Sequence, residues 1–247
     1  MRKTDLFFLR RASMLLLTAL CLVIGLRGMS GQGMVATLHP AVEGRPVVLL
    51  DAGHGGFDGG AASQDGVLEK DLNLAVAKKL ELELLQRGYA VIMTRTKDEA
   101  LRYKGKSGKS ADLNARAALA DQYADAVLIS IHMNKFEVAK YSGAQVFYSA
   151  NHPNSRLLAE AVQTSLREQL QPDNHREIKQ GGGGIYLLLR AAQPAILVEC
   201  GFLSNPQETA QLQQPAYQQQ LVEAIANGLE SYYNKEKDEA GQGTAVP

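Results

Sequence analysis

Two histidines and two glutamates in this sequence stand where predicted strands end or helices begin. His54 lies in a glycine-rich segment behind a short apolar run, and His132 and Glu199 each follow another apolar run directly. Glu69 opens an amphipathic helical pattern. Imidazole and carboxylate groups bind metals and transfer protons. Their convergence at one edge of a sheet therefore predicts a catalytic or metal site.

His54, Glu69 and His132 form a set that suits a catalytic zinc ion. Such an ion takes three protein ligands, commonly His nitrogens and a carboxylate, and keeps a fourth position open for water. The glycines around His54 let the backbone pass close to an ion without a Cβ in the way. Glu199 then remains as the general base. These residues predict a zinc-dependent hydrolase that attacks an amide carbonyl.

Other chemistries fit the motifs less well. The glycine-rich segment lacks the P-loop lysine and the GxGxxG spacing, and no helix begins directly behind it, so a phosphate site is disfavoured. No GxSxG elbow and no HExxH motif occur. Cys200 is expected to be a small buried residue. His39, His152 and His175 fall in linker or loop segments, where solvated side chains are expected.

Predicted strands and helices alternate along the chain, which favours a mostly parallel α/β sheet covered by helices on both faces. Apolar runs predict strands over 47–50, 89–94, 126–131, 144–148, 185–189 and 195–198. Helices are predicted over 69–87, from a cap at Asp112 to about Tyr123, over 154–170, from Pro206, and over 215–233. Ligands bind such sheets at the carboxyl ends of the strands. This architecture would bring the four candidate residues together.

The N-terminus is predicted to be a targeting segment. Residues 1–28 carry a basic flank and then the apolar run from Ala12 to Leu26, which is typical of a secretory signal. Because no clean cleavage site follows, an uncleaved signal anchor is equally open. Residues 29–44 are predicted to be a linker, 45–234 a single catalytic domain, and 235–247 a disordered tail. The body is therefore expected outside the cytoplasmic membrane, with membrane contact only through the N-terminal segment.

Charge and cysteine content narrow the function further. The formal net charge is zero, but residues 1–30 hold five basic and one acidic side chain, so the remainder has a net charge of −4. Nucleic-acid binding is disfavoured, because such proteins usually present a basic face. Cys21 lies in the apolar run, which leaves Cys200 alone in the body. An intrachain disulfide there and a cysteine-based zinc finger are thereby excluded.

Four sequence blocks resemble the zinc-dependent N-acetylmuramoyl-L-alanine amidases of the amidase-3 type. In the family's order, the blocks are Leu50–Gly56, the Glu-Lys-Asp-Leu-Asn-Leu stretch from Glu69, Ser130–Asn134 and Val198–Asn205. The resemblance implies a six-stranded sheet between helices. It also implies roles for the same four residues: zinc ligands for His54, Glu69 and His132, and a catalytic acid/base for Glu199.

The resemblance implies hydrolysis of the amide between the lactyl group of N-acetylmuramic acid and L-alanine of the peptidoglycan stem peptide. The short connection 149–154 indicates that the plugging helix of some relatives is absent. A short catalytic domain without wall-binding repeats is similar to the spore-cortex amidases, which help to make muramic-δ-lactam; wall remodelling at division is the alternative. A zinc peptidase acting within the stem peptide, a non-catalytic wall-binding relative and an accessory activating protein all stay open.

Overall fold

The computed structural model describes residues 46–242, with side chains through residue 236, and shows the expected alternation of strands and helices. The strands are β1 (Val47–Ala52), β2 (Ala90–Met93), β3 (Val127–Asn134), β4 (Gln145–Tyr148), β5 (Lys179–Gln180) and β6 (Ala195–Phe202). The helices are α1 (Glu69–Gln86), α2 (Lys109–Gln122), α3 (Asn154–Gln169), α4 (Tyr186–Arg190), α5 (Pro206–Leu212) and α6 (Pro215–Gln242).

The strands form one six-stranded sheet in the order β2-β1-β3-β6-β4-β5. Neighbours from β2 to β6 run parallel, β4 runs antiparallel to β6, and β5 runs parallel to β4. The central strands are buried on both faces, which explains why they read as continuous apolar runs in the sequence. The predicted three-layer fold with a mostly parallel sheet is confirmed.

Side chains alternate between two cores along each strand. Val48 and Leu50 of β1 join the larger core, which packs beneath α1, α3 and α6. Leu49 points to the opposite face and joins the smaller core beneath α2 and α4. Because successive residues of a strand face opposite sides, one apolar run supplies both cores. The sheet is thereby held between two helical layers. The carboxyl ends of its parallel strands carry polar residues and form the site.

Three predictions about secondary structure are wrong. Residues 185–189, predicted to be a strand, lie mainly in the short helix α4, which buries Leu187 and Leu188 against the smaller core. A short apolar run does not distinguish a strand from a buried helix. Asp112 does not cap its helix, because α2 begins earlier, behind Gly108. The sixth strand is instead β5, two polar residues for which no strand was predicted.

The predicted ends of β3, β6 and α6 also need correction. β3 continues through His132 to Asn134, and β6 continues through Glu199 to Phe202, so both candidate residues lie inside strands. The β3–β6 register shifts between His132 and Asn134. Apolar periodicity ended the predicted strands early, because these polar side chains face a cleft and not a core. α6 runs on to Gln242, so the predicted tail is helical to that residue.

Some predictions fall on residues that the structure does not describe. These are the targeting segment 1–28, the linker 29–44, Cys21, His39 and the last residues of the tail, 243–247. Between residues 46 and 242, no helix has both the length and the apolar character needed to cross a bilayer. The predicted targeting and localisation therefore stay predictions.

Candidate metal centre and active-site cleft

The structure brings His54, Glu69 and His132 together in one cleft. Glu69 lies between the two imidazoles, with its Oε2 3.2 Å from His54 Nε2 and its Oε1 2.8 Å from His132 Nδ1. The two rings meet edge to face, 5.0 Å apart between centroids. One donor atom from each residue lies within 4.8 Å of the others. Within the described part of the chain, no other group of His, Cys, Asp and Glu side chains is gathered closely enough to hold a metal.

The loop behind β1 presents His54 in a constrained conformation. His54 has a φ of 59°, in the left-handed region that non-glycine residues seldom occupy. Its Nδ1 lies 3.0 Å from Asp58 Oδ2, and its Nε2 faces Glu69. Such a carboxylate partner fixes the orientation of a metal-binding imidazole. A strained backbone persists only where the surroundings hold it, so this loop is built for a specific placement of His54.

Two glycines leave room for the cluster. A Cβ on Gly53 would lie 2.3 Å from ring atoms of His132, and a Cβ on Gly60 would lie 2.5 Å from Glu69 Oε2. Gly60 also has a φ of +67°, whereas Gly53 keeps an ordinary backbone conformation. At Gly53 it is therefore space, and not backbone freedom, that requires a glycine. The glycine-rich motif works here by letting the backbone of β1 pass directly beside the imidazole on β3.

Glu69 is held by the first turn of α1 and by neighbouring backbone amides. Its oxygens accept from Ala61 N at 2.7 Å and from Met133 N at 3.2 Å. Burial opposes its ionisation, but the hydrogen bonds and charges of His132 and His54 outweigh burial and hold the pKa of Glu69 well below its usual range. Burial likewise opposes protonation of His54, but Glu69 and Asp58 raise its pKa. The cluster is thus an ionised carboxylate between two imidazoles.

The fourth candidate residue, Glu199, faces the same cleft from the neighbouring strand. It pairs in register with His132 across β3 and β6. Burial is the main cause that raises the pKa of Glu199 to about 7; Glu69 raises it further, while His132 and His54 oppose the shift. Its Oε2 is buried and has no hydrogen-bond partner. A carboxyl group that titrates near neutral pH and keeps one oxygen free is suited to general acid–base work.

The cleft has a volume of about 380 Å³ and opens beside the ends of β1 and β3. The residues that line it include the cations Lys109, Arg116 and Lys135, and also Gly184 and the start of α4. Gly184 is the last of four consecutive glycines, 181–184, so this run ends at the cleft. β4 is followed by α3 after only a short connection, and no helix is inserted between them to cover the site. The predicted absence of a plugging helix agrees with this.

Sequence reasoning missed a buried network beneath β1. Asp51 accepts hydrogen bonds from Thr94, Ser130 and Arg116. Burial opposes its ionisation, but the Arg116 guanidinium and the hydroxyl donors outweigh burial and lower the pKa of Asp51 to about 2. Arg116 also donates to the carbonyls of Ala52 and His54, at 2.8 and 2.6 Å. Through Arg116, this network holds the backbone of the His54 loop in place.

A signal for this network was present in the sequence. Asp112 and Arg116 stand four residues apart on α2, a spacing that brings the two side chains together on one helix face. Both side chains are buried. The loop before α2 is polar, and it gave no indication that charged side chains just behind it are buried. Asp51 was visible as a charge at the end of an apolar run. A buried carboxylate is almost always paired, so this residue indicated that a cation from elsewhere had to reach it.

The remaining candidates play no part in the cleft. Cys200 is fully buried, as predicted, and burial raises the pKa of its thiol. His152 is half-buried rather than exposed, and its Nδ1 accepts from Asn154 N at 3.2 Å. His175 is exposed, as predicted. Neither histidine lines the cleft that holds the cluster.

The sequence and the fold match known proteins closely. Residues 48–231 match the family described as N-acetylmuramoyl-L-alanine amidase (Amidase_3). The chain is 38% identical over 196 residues to the germination-specific N-acetylmuramoyl-L-alanine amidase of Bacillus subtilis (strain 168), which covers 78% of this chain and 81% of the relative.

Two solved structures are similar along nearly their whole length. One is the CwlD amidase of Clostridioides difficile in complex with the GerS lipoprotein, with a TM-score of 0.73 and 36% identity over 77% of this chain and 99% of that one. The other is an N-acetylmuramoyl-L-alanine amidase of Clostridium difficile 630, with a TM-score of 0.68 and 34% identity over 77% of this chain and 97% of that one.

Proposed function

The chain belongs to the N-acetylmuramoyl-L-alanine amidase family, and we propose that it is a zinc-dependent member in which His54, Glu69 and His132 hold the ion. It is an enzyme that acts on peptidoglycan as an N-acetylmuramoyl-L-alanine amidase. One observation carries the zinc proposal: two imidazole nitrogens and a carboxylate oxygen lie within 4.8 Å of one another in the cleft. Two His nitrogens and one carboxylate are a usual ligand set for catalytic zinc.

The residues around the cluster also fit a bound cation. Gly53 and Gly60 keep Cβ atoms out of the space beside the ligands, and Asp58 orients His54. When bound, zinc supplies Lewis-acid polarisation and a water nucleophile at neutral pH. Glu69 brings one negative charge that partly offsets that of the ion. The donor set therefore suits a divalent cation that prefers nitrogen and oxygen ligands.

We propose that Glu199 moves the protons of the reaction. It faces His132 across the strand pair, and its buried Oε2 is free to accept a proton from the attacking water. The same carboxyl can then donate that proton to the departing amine of L-alanine, because its pKa lies near 7. A nearby cation would lower that pKa and favour the basic form before attack. The bond that breaks joins the lactyl carbonyl to L-alanine.

The substitution Glu199→Gln tests this division of roles. The purified full chain should bind one zinc and release peptides with free alanine N-termini from peptidoglycan, leaving the glycan strands intact. E199Q should keep zinc and lose turnover by roughly 10²–10⁴-fold, since it removes the general acid/base. Glu208 offers a matched control: it is also buried, with a pKa that burial raises, but it lies outside the cleft.

E208Q should retain turnover in proportion to its folded fraction, measured by circular dichroism. Mass spectrometry of the products also separates an amidase from a peptidase that cuts within the stem peptide. Wild-type turnover in zinc-loaded E199Q would refute the role of Glu199. A protein without bound zinc that still releases the peptides would refute the metal proposal.

We also propose that the protein is exported and acts in the spore cortex. The relative named germination-specific and the similar CwlD amidase support this role, in which removal of stem peptides prepares muramic-δ-lactam. Residues 1–28 would direct export, 29–44 would link them to the catalytic domain beginning at residue 45, and an accessory lipoprotein is the proposed partner by similarity with the GerS complex. Muropeptide analysis of a deletion strain tests the role: cortex with normal muramic-δ-lactam would refute it.

A further inference from the structure

A single buried arginine connects the segments that carry two of the three proposed ligands. Arg95 follows β2, and only 2% of it is exposed. Its guanidinium donates to four backbone carbonyls: Nε to Ala52 O at 2.9 Å, Nη2 to Gly53 O at 2.9 Å and Lys70 O at 2.8 Å, and Nη1 to Lys97 O at 3.2 Å. Arg95 therefore donates hydrogen bonds to the backbone of three different segments.

The two carbonyls that share Nη2 belong to the immediate neighbours of metal-binding candidates. Gly53 precedes His54 in the loop behind β1, and Lys70 follows Glu69 in the first turn of α1. We infer that Arg95 is a positioning residue that sets the distance between His54 and Glu69, and through that distance the affinity of the site for its cation. This inference rests on the proposed zinc function.

Other hydrogen bonds also join the His54 loop to α1. Asn73 Nδ2 lies 3.1 Å from Gly53 O and 3.4 Å from Glu69 Oε1, which makes a second bridge between the same loop and α1. Lys70 Nζ donates to Gly56 O at 2.9 Å. Loop and helix are therefore joined at several points. Both are also joined to the segment behind β2, by Arg95 and by Asp98, which accepts from Gly56 N and from Lys70 Nζ, each at 2.7 Å.

The path of Arg95 depends on a glycine in the motif. A Cβ on Gly55 would lie 2.9 Å from Arg95 Nε and 2.4 Å from Glu99 O. Gly55 has a φ of +133°, so a side chain there would be strained as well. The glycine-rich segment therefore leaves room on both sides: for an imidazole beside Gly53 and for a guanidinium beside Gly55.

Lysine cannot replace this arrangement. A guanidinium presents five donors in a planar fork, whereas an ammonium group is a single compact charge on a flexible stem. Arg95→Lys could reach one or two of the four carbonyls and would lose the bonds to the others, although Arg116 would still donate to Ala52 O and Asn73 to Gly53 O. The His54 loop, with its left-handed φ, would then lose part of what holds it. A purely structural arginine would affect stability alone, whereas a positioning arginine must also affect metal affinity.

The test compares zinc affinity with metal-free stability in the full chain. Zinc Kd is measured by competition with a chelator, and the melting temperature is measured without metal. R95Q should weaken zinc binding by about 10–100-fold, the usual effect of removing a residue that orients a metal ligand. The zinc affinity of R95K should lie between those of wild type and R95Q. Arg87 offers a matched control, since it is partly buried and bonded to Glu83, Asn227 and Glu230.

Arg87 lies at the far end of α1, about 25 Å along the helix from Lys70. R87Q should lower the metal-free melting temperature and leave zinc Kd unchanged. If R95Q lowers the melting temperature but binds zinc within twofold of wild type, the inference is overturned and Arg95 is merely structural. If R95Q does not fold, R95K decides by the same criterion. Wild-type protein that binds no zinc would instead refute the proposed function.

Discussion

Gly53→Ala should damage the metal site while leaving the fold intact. A Cβ at this position would lie 2.3 Å from His132 Cε1 and Nε2, whereas ordinary contact begins at 3.4 Å. The imidazole must therefore move by about 1.1 Å. Ligand distances in metal sites are held to about 0.2 Å, and a misplacement of about 1 Å can cost roughly 10²-fold in rate. Because Gly53 does not have a positive φ, alanine introduces no backbone strain of its own.

The assay measures three quantities for full-length wild type, G53A and G59A. These are zinc Kd by chelator competition, release of peptides from peptidoglycan, and the metal-free melting temperature. G53A should bind zinc at least tenfold more weakly and release peptide about 10²-fold more slowly, with only a small change in melting temperature. Gly59 lies in the same loop without a positive φ, and a Cβ there would meet nothing closer than Leu68 at 3.6 Å.

G59A should therefore bind zinc and turn over like wild type. Its stability should be unchanged or higher by up to about 1 kcal/mol, since alanine restricts the unfolded chain more than glycine does. Wild-type zinc affinity and turnover in G53A would show that the ring of His132 can move without consequence. The close packing of β1 against the proposed ligand would then have no role in the site.

Two further predictions concern acid stability and metal removal. The pKa of Asp51 is lowered to about 2, so its ionised form stabilises the fold at pH values above about 4, and about 2 kcal/mol of that stability should be lost as pH falls from about 4 to 2. Urea unfolding of wild type and D51N between pH 2 and 5 checks this. The free energy of unfolding of D51N should lack this loss, and the same dependence on pH in both proteins would contradict the prediction. Removing zinc with a chelator should lower the free energy of unfolding by about 4 kcal/mol if the metal had been present at 1,000 times its Kd. Restoring zinc should recover this stability in wild type but not in a chain with both His54 and His132 replaced by Ala, and a melting temperature that ignores the chelator would contradict the prediction.

Much of the fold followed from local features of the sequence. The apolar run at Val47–Leu50 predicts a buried strand because only a doubly covered sheet buries every residue of such a run. The pattern from Glu69 to Leu84 predicts α1 because its apolar residues recur on one helical face. The convergence of His54, Glu69 and His132 followed from topology, since parallel strands end at one edge. Each of these signals is carried by neighbours in the chain.

What the tertiary structure alone decided is the surroundings of those residues. The sequence by itself determined that an imidazole follows β1, but not that Arg95 and Arg116 hold the carbonyls beside it. Nor could it show that Glu199 lies inside β6 with one oxygen unpartnered, or that residues 185–189 are helical. The physical reason is the same in each case. Burial and hydrogen bonding depend on groups tens of residues away, whose approach is settled only when the sheet and its helices pack.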